Sequence, residues 1–123
     1  MKSYTDLEQS KRLAEILPIE SADACWTNHL FNNFLSSWRI ESTSPQEYKN
    51  LLDGFVVRGY LIEPAWSLTA LLDILPKGYS LGRRTNGKYY VCITHIKHNI
   101  SEFDNPIDAC YEMILKLYEL NLL

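Results

Sequence analysis

Five prolines, Pro18, Pro45, Pro64, Pro76 and Pro106, constrain this chain more than any other feature. A proline has no backbone N–H, fixes φ and pushes the residue before it out of helical geometry, so each must start a helix, end one or lie outside. The chain is therefore built from short elements. Thr5 followed by Glu8 reads as a capping box ahead of Leu7, Leu13, Ala14, Ile16 and Leu17, which predicts a helix from about Asp6 to Leu17 that Pro18 ends. Ser44, Pro45 and Glu47 supply an N-cap, a first-turn proline and a capping glutamate for a short helix that Asp53-Gly54 closes. Pro64 should stop a strand over 55–62 and open a core helix over 65–75, rich in Trp66, Leu68, Leu71, Leu72 and Leu75, which Pro76 and Gly78 end. Asn105 and Pro106 open the last helix, running to about Leu120, with Asp108 well placed against the helix dipole.

Two segments are read from side-chain pattern. Trp26, Leu30, Phe31, Phe34, Leu35 and Trp38 recur at helical spacing, which predicts a helix although Asn28, Asn32 and Asn33 are weak helix formers. Residues 79–84 and 88–96 flank Asn86-Gly87, the signature of a two-residue type I′ hairpin. Such a turn would set Leu81 opposite Cys92, Tyr79 opposite Thr94 and Arg83 opposite Tyr90, with Leu81, Cys92 and Ile96 on the buried face. The expected class is α+β: three to five helices on a small antiparallel sheet containing the hairpin. With 123 residues a single domain is expected. Leu13-Ala-Glu-Ile-Leu-Pro18 recurs as Leu71-Leu-Asp-Ile-Leu-Pro76, but the flanks differ and one echo falls short of a repeat array, so no boundary is drawn from it.

Composition narrows the class of protein. A 46% hydrophobic fraction with 22% charged residues belongs to a globular chain rather than a disordered one. No apolar run is long enough for a membrane span, and MKSYTDLEQS lacks the apolar core of a signal peptide, so a cytoplasmic protein with no membrane partner is expected. Cys25, Cys92 and Cys110 lack the dense, even-numbered spacing of a disulfide scaffold and should be free thiols.

Several stretches carry a resemblance: Tyr4-Thr5-Asp6-Leu7-Glu8-Gln9-Ser10, Leu13 to Asp23, Trp66-Ser-Leu68, Leu71-Leu-Asp-Ile-Leu-Pro76 and Asn105 to Leu117. Together they resemble a set of small uncharacterised proteins of gut Bacteroidales genomes and their mobile elements. The resemblance covers about half the chain and leaves out Cys25 to Val57, so 24–57 reads as a variable insertion. It implies a bacterial origin and a prophage or mobile-element association, and it brings no activity, cofactor or catalytic residue.

The side chains offer little chemistry of their own. Cys92, His95 and His98 sit three apart on a predicted strand, where odd steps point to opposite faces. A Cys2His2 zinc site from Cys25, His29, Cys92 and His95 is conceivable, but its spacing matches no zinc-finger pattern, and buried thiols with surface imidazoles are the simpler reading. A Cys-His nucleophile pair lacks a visible orienting group and oxyanion site. No glycine-rich phosphate loop is present, and Glu41, Glu47, Asp53, Glu63 and Asp73 are accounted for by capping and solubility. No catalytic, metal or cofactor residue is assigned.

Two features stand out. Between Lys77 and His98 lie Lys77, Arg83, Arg84, Lys88 and Lys97 with no acid, leaving 7 basic against 15 acidic groups in the rest of the chain. Arg83, Arg84, Lys88, Tyr89 and Lys97 therefore form a candidate contact for an anionic partner, able to meet phosphates and stack bases. The net charge of −3 works against a dedicated nucleic-acid binder. In the last helix, Asp108, Glu112, Lys116 and Glu119 form one narrow polar stripe and apolar residues cover the rest, more than the roughly 100° face one core requires. Tyr111, Leu115, Tyr118 and Leu122 are the candidate self-association residues of a homodimer. The preferred expectation is a non-catalytic interaction or accessory protein. A nucleic-acid-binding factor using the hairpin over 77–98 is the alternative, and an enzyme comes third.

Overall fold

The first helix starts one residue later than the Thr5 box predicts. Asp6 is its N-cap: the Asp6 carboxylate accepts the Gln9 N–H at 2.8 Å, and the Gln9 side chain accepts the Asp6 N–H at 3.1 Å. A carboxylate caps better than a threonine hydroxyl, and Thr5 is instead fully buried. Helix α1 (Leu7–Ala14) then tightens before Pro18, with the N–H groups of Ile16 and Leu17 both bonded to the Leu13 carbonyl.

The computed structural model describes residues 2–31, 34–35, 38–52, 60–94 and 101–123. Within them the fold is α+β, with four α-helices and antiparallel strands. No described helix is long and apolar enough to cross a membrane. The contacts gather the chain into two compact units, Asp6–Ser67 and the first five residues with Leu68–Leu123.

In the first unit, the segment 26–38 predicted as a helix instead contributes to two strands in its described residues. Strand β1 (Ala24–Phe31) pairs antiparallel with β2 (Phe34–Leu35) and β3 (Arg39–Glu41), and with β4 (Tyr60–Ala65) on its other side. The β2 and β3 pairings differ by one residue in register, Leu30 with Leu35 but Trp26 with Ile40. As the central strand, β1 buries Cys25 and Thr27 on one face and Asn28 on the other. Burial on both faces erases the period-two signal, and the apolar spacing that remained imitated a helix. Helix α2 (Pro45–Leu52) starts as expected, the Ser44 hydroxyl accepting the Glu47 N–H at 3.2 Å. It connects β3 to β4, which run parallel to each other with β1 between them. Asp53-Gly54 and 55–59 lie outside the described residues.

Pro64 does not end β4. It lies within the strand opposite Cys25, where a missing N–H is tolerated because β4 pairs with β1 alone among the described residues. Beyond it, Trp66 is fully buried and its Nε1–H donates to the Ser21 hydroxyl at 2.9 Å. The Asp23 carboxylate accepts the Ser67 N–H at 2.9 Å and the Ser67 hydroxyl. These bonds tie the turn after Pro18, a 3-10 segment over Ile19–Ser21, to the end of β4.

In the second unit, α3 (Leu68–Ile74) leads through Pro76 into β5 (Tyr79–Arg83), which pairs with β6 (Tyr89–Ile93). Arg84 and Lys88 continue the pairing past the strand ends, so the turn proper has three residues, 85–87, not two. Arg84 N–H donates to the Lys88 carbonyl at 2.8 Å, Gly87 N–H to the Arg84 carbonyl at 2.9 Å, and Gly87 takes φ +85°, a turn followed by a left-handed glycine. The extra residue shifts every pair from the expected register: Leu81 faces Val91, Tyr79 faces Ile93 and Arg83 faces Tyr89. Val91 and Ile93 are consequently the buried residues of β6, and Cys92 is only half-buried. Ile96 lies outside the described residues. Helix α4 (Pro106–Glu119) packs on α3 and β6, capped by the Asn105 side chain, which accepts the Asp108 N–H at 2.9 Å. The buried side chains of this unit include Leu71, Val91, Ile107, Cys110, Ile114 and Leu117.

Candidate interaction site on the last helix

At 100° per residue, the buried side chains of α4 fall on one face centred near Cys110, Met113 and Leu117. Opposite that face lies Leu115, which is half-buried. On one side of Leu115 stand Tyr111, half-buried, and Tyr118, 46% exposed. On its other side stand Glu112, Lys116 and Glu119. None of these three has an ion-pair partner among the described residues. Beside this charged flank runs a groove of about 230 Å³, floored by Val91, Phe103, Ala109, Met113 and Leu115. That volume is below the roughly 300–1,000 Å³ of small-molecule sites and suits one side chain rather than a cofactor.

The helix ends in an ordered cap. Asn121 takes φ 56°, its N–H bonds to the Tyr118 carbonyl at 3.1 Å and the Leu122 N–H to the Leu117 carbonyl at 2.8 Å, the paired bonds of a Schellman motif. Leu122 is therefore held in a fixed place, with 51% of its surface exposed. Of the four residues expected to mediate self-association, Tyr118 and Leu122 are exposed and Tyr111 and Leu115 are partly covered. Sequence reasoning missed the groove and its rim, because Glu112, Lys116 and Glu119 read simply as a solvated stripe. The available signal was their position directly beside Leu115.

The basic hairpin is less free than its composition implies. Arg84 Nε pairs with the Glu102 carboxylate at 2.9 Å, the Asn86 amide donates to the same carboxylate at 3.0 Å, and Lys88 lies 3.5 Å from Asp104. Two acids just beyond the acid-free window thus oppose its cations. Tyr89 and Phe103 exchange backbone hydrogen bonds of 2.7 and 2.8 Å, which lays residues 101–104 along β6 and sets these acids beside the hairpin. Arg84 also stacks over the Tyr90 ring at 4.6 Å and Arg83 over Tyr89 at 5.5 Å. Lys97 lies outside the described residues.

Two of the three thiols, Cys25 and Cys110, are buried. Burial, with a smaller contribution from the Glu41 carboxylate, pushes Cys25 up to about 11, and burial pushes Cys110 up to about 12. Both are free, as is Cys92. Among the described residues no group of three or more histidine, cysteine or acidic side chains is placed to hold a metal ion. His95 and the side chain of His29 lie outside the description. Comparison with protein families, with characterised proteins and with solved structures finds no match to the chain.

Proposed function

We propose that this chain is a non-catalytic interaction protein that acts through the outward face of α4, with a second copy of itself as partner. The observation that carries this reading is the exposure of Tyr118 and Leu122 on a helix whose opposite face is fully buried and whose end is locked by its cap. A preformed cap lowers the ordering cost of presenting Leu122.

The magnitudes favour weak association. Complete burial of a large apolar side chain contributes about 1.5–3 kcal/mol, so each half-covered residue can add about 1 kcal/mol. Tyr111, Leu115, Tyr118 and Leu122 from two copies give a gross gain of roughly 8 kcal/mol, against an association cost of about 4 kcal/mol or more. The net of about 4 kcal/mol corresponds to dimerisation in the millimolar range. Sedimentation equilibrium from 10 μM to 1 mM tests it. The expected result is a monomer–dimer equilibrium that Tyr118→Glu removes without unfolding the chain. A monomer throughout that range would refute self-association.

The nucleic-acid reading draws less support, because Arg84 and Lys88 already face Glu102 and Asp104. The prophage or mobile-element association implied by the sequence resemblance is compatible with an accessory role of this kind.

A further inference from the structure

Resting on the self-association reading above, the geometry points to one arrangement. We propose that two copies pack α4 against α4 antiparallel, about a twofold axis crossing the helices near Leu115, with Glu112 of each copy paired to Lys116 of the other.

The flanks of the helix decide the direction. Leu115 is at the centre of the outward face, the tyrosines lie on one side and the charged residues on the other. A twofold axis parallel to the helices would carry each flank across to the opposite side, setting Tyr111 and Tyr118 against the partner's charges. A twofold axis perpendicular to them keeps each flank on its own side, so that tyrosines meet tyrosines and charges meet charges in reverse order. Reversal then brings unlike charges together. At a rise of 1.5 Å per residue, Glu112 and the second copy's Lys116 lie at the same height if the axis crosses at residue 114, and one short step apart if it crosses at Leu115. All three charged side chains lack ion-pair partners within their own chain among the described residues, so they are available for this pairing. The groove beside them can take the aliphatic stem of the opposing lysine.

A charge-swap experiment on the full chain tests the arrangement. Lys116→Glu alone places two glutamates together across each twofold pair, and Glu112→Lys alone places two lysines together. Each is expected to raise the dimer dissociation constant at least tenfold in sedimentation equilibrium. An equimolar mixture of the two variants should form a heterodimer, and the double variant Glu112→Lys, Lys116→Glu should return to within about threefold of the original. Changes within a single helix cannot produce heterodimer selection. If the unaltered chain dimerises and Tyr118→Glu dissociates it, yet both single swaps leave association unchanged, the antiparallel pairing is wrong and the self-association reading stands. If the unaltered chain stays monomeric at 1 mM, both fall.

Discussion

Gly82 offers a sharp test of the register seen in the hairpin. It faces Tyr90 across the strands, and a Cβ built on Gly82 would lie 2.6 Å from the Tyr90 Cε1 atom and closer still to the end of the ring. In a strand without such a neighbour, Gly→Ala stabilises by about 0.5–1 kcal/mol, because glycine loses more backbone freedom on folding. Here the ring must swing away instead. That forfeits its cross-strand packing, about 0.2–1 kcal/mol, and the Arg84 guanidinium stacked on its face, about 0.5–1 kcal/mol. Residual crowding adds to the loss, so Gly82→Ala should destabilise by about 1 kcal/mol. In a Tyr90→Ala background the same change should become neutral or stabilising by about 0.5 kcal/mol, giving a coupling near 1.5 kcal/mol. Urea unfolding followed by far-ultraviolet circular dichroism measures all four corners of this cycle. Additive effects, or a stabilised Gly82→Ala single variant, would show that Tyr90 does not lie over Gly82 and that the register is the one expected from a two-residue turn.

Three further outcomes are expected. Asp6→Ala removes the carboxylate of the α1 capping box and should cost about 0.5–2 kcal/mol in denaturant unfolding; an unchanged midpoint would place the cap elsewhere. The buried thiols of Cys25 and Cys110 hold their protons more tightly in the folded chain than the ordinary value of 9.0, so their contribution is complete below pH 9 and is lost as pH rises through about 11 and 12. Stability measured across that window should fall less steeply in the Cys25→Ala, Cys110→Ala variant, and equal slopes would contradict the assigned burial. With its cations opposed by Glu102 and Asp104, the hairpin should bind duplex or single-stranded DNA at physiological salt no more tightly than the roughly 10⁻⁴–10⁻⁶ M non-specific range; a salt-resistant, sequence-selective complex in a filter-binding assay would reverse the ranking of functions.

The helix starts at Ser44 and Asn105 were legible because capping chemistry is local: the residues that satisfy the first N–H groups stand next to them in sequence. Strand β1 was not, since its place between two partners is decided by residues up to 41 positions away, as in the pairing of Ala24 with Ala65. Pro64 misled for the same reason, because a strand paired on one side among the described residues tolerates a proline, and nothing near it in sequence marks that position. In the hairpin, Asn86-Gly87 correctly marked the loop but not its length, and one residue sufficed to exchange Cys92 for Val91 on the buried face. At the candidate site the apolar excess of the last helix was visible, whereas the groove beside Glu112 depends on Phe103 and Val91, which no spacing along α4 reveals. The two Leu-Pro segments do occupy equivalent places: each closes a helix and leads into the first strand of an antiparallel pair.

The grouping of the first five residues with Leu68–Leu123 bears on how the chain is made. Lys2 bonds to the Asp108 carboxylate at 2.8 Å, a partner more than a hundred residues later in the sequence. Asp6–Ser67 is continuous and can assemble while synthesis proceeds, because α1 and the strands that pair with β1 among the described residues have emerged by then. The other unit must wait. Until α4 is made, Lys2 lacks the Asp108 carboxylate and the apolar side chains of α3 lack the helix they pack on. Synthesis in the N-to-C direction thus supplies every residue of Asp6–Ser67 before the other unit has its last helix.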